Sequence, residues 1–204
     1  MLLFAHISEG NEKEKASNER DRVREIRAGN KKAYEELFFE YHNQLIRFAN
    51  TITKSREFAR DAVQDVFLKI WRNRENWEIN YSLKVYLYQS VRNQSLNLLE
   101  KQNSRLRVKS GMQKELQERE EKVFVDDAKH SHLSDYELRL LKKIWELVGE
   151  MPERKRIVFE LHRKHGLSYK EIAKILGITR KTVENHIAQA FQFLRSNINT
   201  EDYK

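Results

Sequence analysis

A single proline, Pro152, interrupts a chain of 204 residues, and only six glycines accompany it. Turns between strands draw heavily on these two residue types, so a many-stranded sheet has little to turn with and helices are favoured. The apolar pattern agrees. Ala33, Leu37, Tyr41, Leu45, Phe48 and Ile52 fall on one helical face, and Phe58, Ala62, Val66, Phe67, Ile70 and Trp71 recur at the same spacing. A third long helix is expected over Val85, Leu87, Tyr88, Val91, Leu96 and Leu99. Residues 73–82, between the last two, read as an irregular polar-aromatic loop.

A second patterned block begins at Tyr136, with Leu140, Leu141, Ile144, Trp145 and Val148 in its first helix. Pro152 sits where a first-turn proline is tolerated. Ile157, Val158 and Leu161 follow on one face, and Gly166 suits a left-handed helix end. Between the blocks, residues 102–134 are dominated by charge and polar groups. We expect an all-α chain: a mobile tail over 1–22, a helical domain over 23–101, a flexible linker over 102–134 (partly helical at 113–123) and a second domain over 135–198.

Several function classes are excluded. With no cysteine, disulfides, zinc-thiolate sites and thiol catalysis are ruled out. No apolar run approaches the roughly 20 residues of a membrane span, and residues 1–7 are too few for a secretory signal. A soluble cytoplasmic protein without membrane insertion is expected. The net charge of +8 points to a polyanionic partner, nucleic acid or an acidic membrane surface, unless the basic surface is merely solvated.

The most specific signal lies in residues 167–194. Ser168 and Glu171 have capping-box spacing at a helix start. Tyr169, Ile172, Ala173 and Leu176 line one face, Gly177 permits a reversal, Ile178 plugs the turn, and Thr179 suits the next N-cap. Val183, Ile187, Ala190 and Leu194 form the buried face of the following helix. This is the pattern of a helix-turn-helix. Lys181 and Asn185 point away from that face, flanked by Arg180, Thr182 and Glu184, where base edges would be met in a major groove. Residues 152–200 hold ten Lys/Arg against four Asp/Glu, a sign suited to phosphate contacts.

The first block carries two further features. Glu57, Asp61 and Asp65 recur every four residues, with Gln64 beside them. Taken alone, such a stripe is a solvated face, or it pairs with Arg56, Arg60 or Lys69; a basic protein partner is the alternative. Residues 82–109 hold six Lys/Arg against Glu100, close to Trp77, Tyr81, Tyr86 and Tyr88. Basic charge interleaved with aromatic rings holds single-stranded nucleic acid. Tyr86 or Tyr88 must be core, whereas Trp77 and Tyr81, in the polar loop, are expected to be exposed.

These segments together resemble a known family. FARDAVQDVFLKIW at 58–71 is similar to region 2.2 of sigma-70-type factors, and SLKVYLYQSVRN at 82–93, followed by Leu96 and Asn97, to regions 2.3 and 2.4. MPER at 151–154, GLSYKEIA at 166–173 and LGITRKTVENH at 176–186 resemble region 4. The resemblance spans residues 27–101 and 136–197. The short connection between the blocks marks the extracytoplasmic-function (ECF) group, and the wording resembles its Bacteroidetes-type members. It implies a non-enzymatic sigma factor that binds the RNA polymerase core, at the clamp helices of the largest subunit and at the flap. It also implies promoter DNA and an anti-sigma factor as partners, with no cofactor and no metal.

By this resemblance, Glu57, Asp61, Gln64 and Asp65 belong to the core-binding face. Asn73, Arg74, Trp77, Asn80, Tyr81, Ser82, Lys84, Tyr88, Arg92 and Asn93 belong to the −10 element site. Ser168, Tyr169, Thr179, Arg180, Lys181, Thr182, Glu184 and Asn185 belong to the −35 site. Arg60 stands where many relatives carry an acid, and Asp65 where many carry Glu. The alternative is a helix-turn-helix regulator that works without core polymerase, but the first block shows no ligand-pocket or phosphoacceptor pattern of a sensor domain. An enzyme is disfavoured: His162 and His165 lack a convincing carboxylate cluster, and no phosphate loop or nucleophile elbow is present.

Overall fold

The computed structural model describes residues 18–79, 81–109 and 135–198, and every regular element among them is a helix. The chain divides into two compact units, Met1–Glu115 and Leu116–Lys204.

In the first unit, α1 covers residues 18–27, α2 Lys31–Thr53, α3 Arg56–Arg72 and α4 Leu83–Lys109, with a single 3₁₀ turn at Arg74–Asn76. Local chemistry sets the boundaries. Asn30 Oδ1 accepts from the Ala33 amide at 3.2 Å to cap α2. The α2–α3 reversal is tight: Lys54 is left-handed (φ 53°), and the Thr53 hydroxyl donates to Ser55 O at 2.9 Å while accepting from Ser55 N. Helices α2, α3 and α4 pack on one another. Leu37, Leu45, Phe48, Val63, Phe67, Leu87, Tyr88 and Val91 fill the space between them. Tyr34 and Phe38 both meet the Phe67 ring edge-on.

Two expectations need correction here. The tail was placed through residue 22, but residues 18–22 are helical. Val23 and Ile26 of α1 are buried, and Arg22 pairs with Glu40 at 2.5 Å. Glu19 Oε2 accepts from the Leu83 amide at 2.9 Å, capping α4 from 64 residues away. Burial, reinforced by the carboxylates of Glu40 and Glu19, pushes the Tyr41 phenol far above its ordinary range. At the other end, α4 runs on through Lys109, past the linker boundary placed at 102. The helix expected at 113–123 lies outside the described residues. Leu96, expected on the buried face of α4, is 41% exposed.

The long-range cap is testable. Glu19→Ala should lower stability by about 1 kcal/mol, the usual cost of losing an N-terminal capping side chain. In a domain of this size that shifts the melting temperature by about 4–8 °C. An unchanged melting curve would show that the Glu19 cap adds nothing to the domain.

The second unit holds α5 (Asp135–Glu150), α6 (Glu153–Arg163), α7 (Tyr169–Leu176) and α8 (Arg180–Asn197). Pro152 precedes the first helical residue of α6 with extended geometry (φ −51°, ψ 137°). Helix α8 packs on each of the other three. Its buried Val183, Ile187, Ala190 and Leu194 meet a core that includes Val158, Leu161, Leu167, Ile172 and Ile175. Phe159 bridges Trp145 and Phe191 with edge-on ring contacts.

Candidate polymerase and nucleic-acid interfaces

In the second unit, every element of the expected turn is present. Ser168 Oγ accepts from the Glu171 amide at 3.3 Å, and Glu171 Oε2 accepts from Ser168 N at 2.8 Å. Gly177 is left-handed (φ 68°) and Ile178 N donates to Ala173 O at 3.0 Å, closing α7. Thr179 Oγ1 accepts from the Thr182 amide at 3.1 Å and starts α8. Ser168, Thr179 and Thr182 therefore hold the motif's shape. Tyr169 packs edge-on against His162, whose Nδ1 lies 2.9 Å from Leu167 O. His165 is buried. Among the described residues no cluster of three or more potential metal ligands occurs.

Lys181 and Asn185 lie one turn apart on α8, both exposed. Glu184 sits between two cations: Oε1 is 3.1 Å from Arg180 Nε, and Oε2 is 3.8 Å from Lys181 Nζ. Exposed pairs of this kind contribute little to stability. They hold the two basic side chains near the helix start.

The acidic stripe of the first unit divides. Glu57, Asp61 and Gln64 are exposed on α3, but Asp65 is half-buried and accepts from Gln94 Nε2 at 2.7 Å. Gln94 is buried and accepts from Lys69 Nζ at 2.7 Å, so one amide ties α3 to α4. The reason is geometric. At 3.6 residues per turn each four-residue step advances the helix by about 40°, so two steps carry the stripe about 80° round. Asp65 ends at the α3–α4 seam.

The expected −10 residues divide as well. Tyr81 is 53% exposed, Asn73 and Asn93 are exposed, and Lys84 and Arg92 are half-buried at the surface. Trp77, expected to be exposed, is 4% exposed, with its ring 5.7 Å from that of Tyr86. Its large apolar surface closes the loop over the helices. Tyr88 is fully buried against Phe48 and belongs to the core. Arg74 folds back onto α3, donating to Trp71 O at 3.0 Å with its guanidinium 4.8 Å from the Trp71 ring. Ser82 caps α4 through the Val85 amide at 3.3 Å. Asn80 lies outside the described residues. The role of Glu19 was missed because residues 8–22 carry almost no apolar signal, and the only hint, Val23 with Ile26, is too short to show a period.

The helical body with exposed acids on α3 and the helix-turn-helix with a basic leading turn each match a region of one family of transcription-initiation proteins. Residues 37–105 match the family described as Sigma-70 region 2, and residues 141–194 match Sigma-70, region 4. The chain is 25% identical over 190 residues to the ECF RNA polymerase sigma-E factor of Haemophilus influenzae, covering 86% of this chain and 93% of that protein. It is 22% identical over 183 residues to the ECF sigma factor SigW of Bacillus subtilis, covering 87% and 95%. Two solved structures share the fold. CnrH in complex with the cytosolic domain of CnrY has a TM-score of 0.57 at 19% identity, covering 87% of this chain and 95% of that one. RpoE with the anti-sigma factor NepR from Bartonella quintana has a TM-score of 0.58 at 21% identity, covering 81% and 96%. The chain belongs to the sigma-70 family and is an ECF sigma factor: it directs RNA polymerase to promoters and to transcription initiation.

Proposed function

We propose a division of labour between the two units. Residues 23–101, with α1 added, hold the polymerase core and the −10 element, and residues 135–198 hold the −35 element. The observation that carries this reading is the separation of charge: exposed acid and amide on α3, against exposed Lys181 and Asn185 at the start of α8. On the first unit, Glu57, Asp61 and Gln64 meet the clamp helices of the largest subunit, and Tyr81, Lys84, Arg92 and Asn93 meet the melted −10 strand. On the second, Arg180, Lys181, Glu184 and Asn185 read the −35 bases, while the region 4 body meets the flap. Trp77, Tyr88, Arg74 and Ser82 support the −10 surface from within the fold. The protein works as a binding subunit in the cytoplasm and performs no chemistry of its own; no described helix is long and apolar enough to cross a membrane. The motif wording supports a Bacteroidetes-type member. An anti-sigma factor holds it inactive, as the complex of RpoE with NepR suggests for this fold.

Purified core polymerase plus this chain, presented with a random promoter library, tests the whole reading by whether a −35/−10 pair is selected. Lys181→Ala and Asn185→Ala should each weaken discrimination at one −35 position by about 1–3 kcal/mol, the value of a good base contact. Equal loss on every sequence would make them phosphate contacts instead, and no loss would remove them from the site.

A further inference from the structure

Phe39 of α2 is the most exposed large apolar side chain among the described residues, at 75%. Its ring meets that of Phe38 edge-on at 5.7 Å. At 3.6 residues per turn it stands opposite Leu37, Tyr41 and Phe48, the buried face of α2. Ile46, half-buried, lies two turns further along the same outward stripe, with exposed Asn43 between them. Glu35 and Glu36, both exposed, occupy the turn before Phe39. The outward stripe of a surface helix is ordinarily polar. A lone exposed ring needs no explanation, but here a second observation supplies an occupant. Residues 1–7 (MLLFAHI) hold six apolar side chains and no acid, and residues 8–17 hold one apolar side chain, Ala16. All of these lie outside the described residues. The point where they join the fold is described: α1 starts at residue 18, and its Arg22 pairs with Glu40, the chain neighbour of Phe39. Ten residues span up to about 33 Å when extended, close to the roughly 35 Å length of α2, so residues 1–7 can reach the whole stripe. A segment on a tether of this length meets its site at about millimolar effective concentration, so a weak apolar contact is enough to hold it.

We propose that residues 1–7 dock on the Phe39–Ile46 stripe of α2 within the same molecule. Charge favours this occupant over the others. A second copy using the same face would set Glu35 and Glu36 against their own equivalents across a two-fold axis, and like charges at an interface oppose that pairing. The same carboxylates oppose nucleic acid. Residues 1–7 bring no acid to them, and His6 brings a hydrogen-bond donor.

Because the chain has no cysteine, Ser8→Cys gives the full ¹⁵N-labelled protein a single site for a nitroxide spin label. With the nitroxide oxidised, the amide signals of Phe39, Asn43 and Ile46 should broaden relative to the reduced sample. Leu3→Ser combined with Phe4→Ser should abolish that broadening. Phe39→Ser should abolish it at Asn43 and Ile46 while the helical signal stays unchanged. No broadening in the parent Ser8→Cys chain overturns the proposal, as does broadening that survives the change at Leu3 and Phe4. The pair at 3 and 4 decides the matter even if Phe39→Ser fails to fold. A mixture of ¹⁵N chain without nitroxide and spin-labelled chain without ¹⁵N reads the second-copy occupant, and broadening there overturns the proposal in favour of a dimer. Each variant should copurify with core polymerase as the wild type does. Loss of copurification in Phe39→Ser, with α2 untouched by the label, would give the stripe to the polymerase instead.

Discussion

Asp61→Arg combined with Gln64→Arg should leave the melting curve unchanged and abolish copurification with core polymerase. Both side chains are exposed on α3, and none of the ion pairs or hydrogen bonds described above uses them. Substitutions at such positions usually stay within about 0.5 kcal/mol of the wild type. At a basic clamp surface, two introduced guanidiniums bring like charges together at a cost of several kcal/mol, about a hundredfold or more in affinity. Asp65→Arg should behave differently. It removes the acceptor from buried Gln94 and sets a second cation near Lys69, so about 1–3 kcal/mol of folding stability is lost along with any binding. Thermal melting and a pull-down on the three chains separate the effects. Wild-type affinity in the Asp61/Gln64 variant would remove α3 from the core interface, and an unchanged melt for Asp65→Arg would show that the Gln94 bridge is dispensable.

Trp77→Ala carries the second large effect, and it falls on stability rather than on promoter opening alone. A ring this buried, tilted against that of Tyr86, leaves a cavity when truncated, and such losses cost about 3–5 kcal/mol. For a domain at the lower end of the usual range of about 5–15 kcal/mol, that removes most of the folding stability. Tyr81→Ala should keep its melting temperature and slow opening, since Tyr81 stands at the surface and stacking on an exposed ring is worth about 1–3 kcal/mol per base. Circular dichroism melts and permanganate footprinting distinguish the pair. A stable Trp77→Ala variant with slow melting of DNA would return Trp77 to the list of stacking residues.

The helix-turn-helix was legible almost to the residue because its signals are local. The Ser168–Glu171 capping box, the Gly177 reversal and the Thr179 cap each depend on chemistry within four residues. The buried faces of α2 and α8 were legible for the same reason, since a 3.6-residue period needs only the helix itself. The period gave no means of ranking residues within a loop. Trp77 and Tyr81 look alike in a polar segment, and only the packing of α4 beneath the loop buries one and leaves the other at the surface.

By itself, then, the sequence determined an all-α chain, a DNA-binding turn and a family, because turn chemistry, apolar period and motif order are written in neighbouring residues. Tertiary structure alone decided three things. Glu19 of the presumed tail became the cap of α4, an interaction across 64 residues that no local pattern encodes. Asp65 left the acidic face for the α3–α4 seam, because helical drift matters only once a neighbouring helix is there to meet it. Three arginines of α1 were brought opposite Trp77 to form a cleft. In each case the deciding quantity is a distance between segments far apart in the chain, which the packing of the core sets and the order of residues does not.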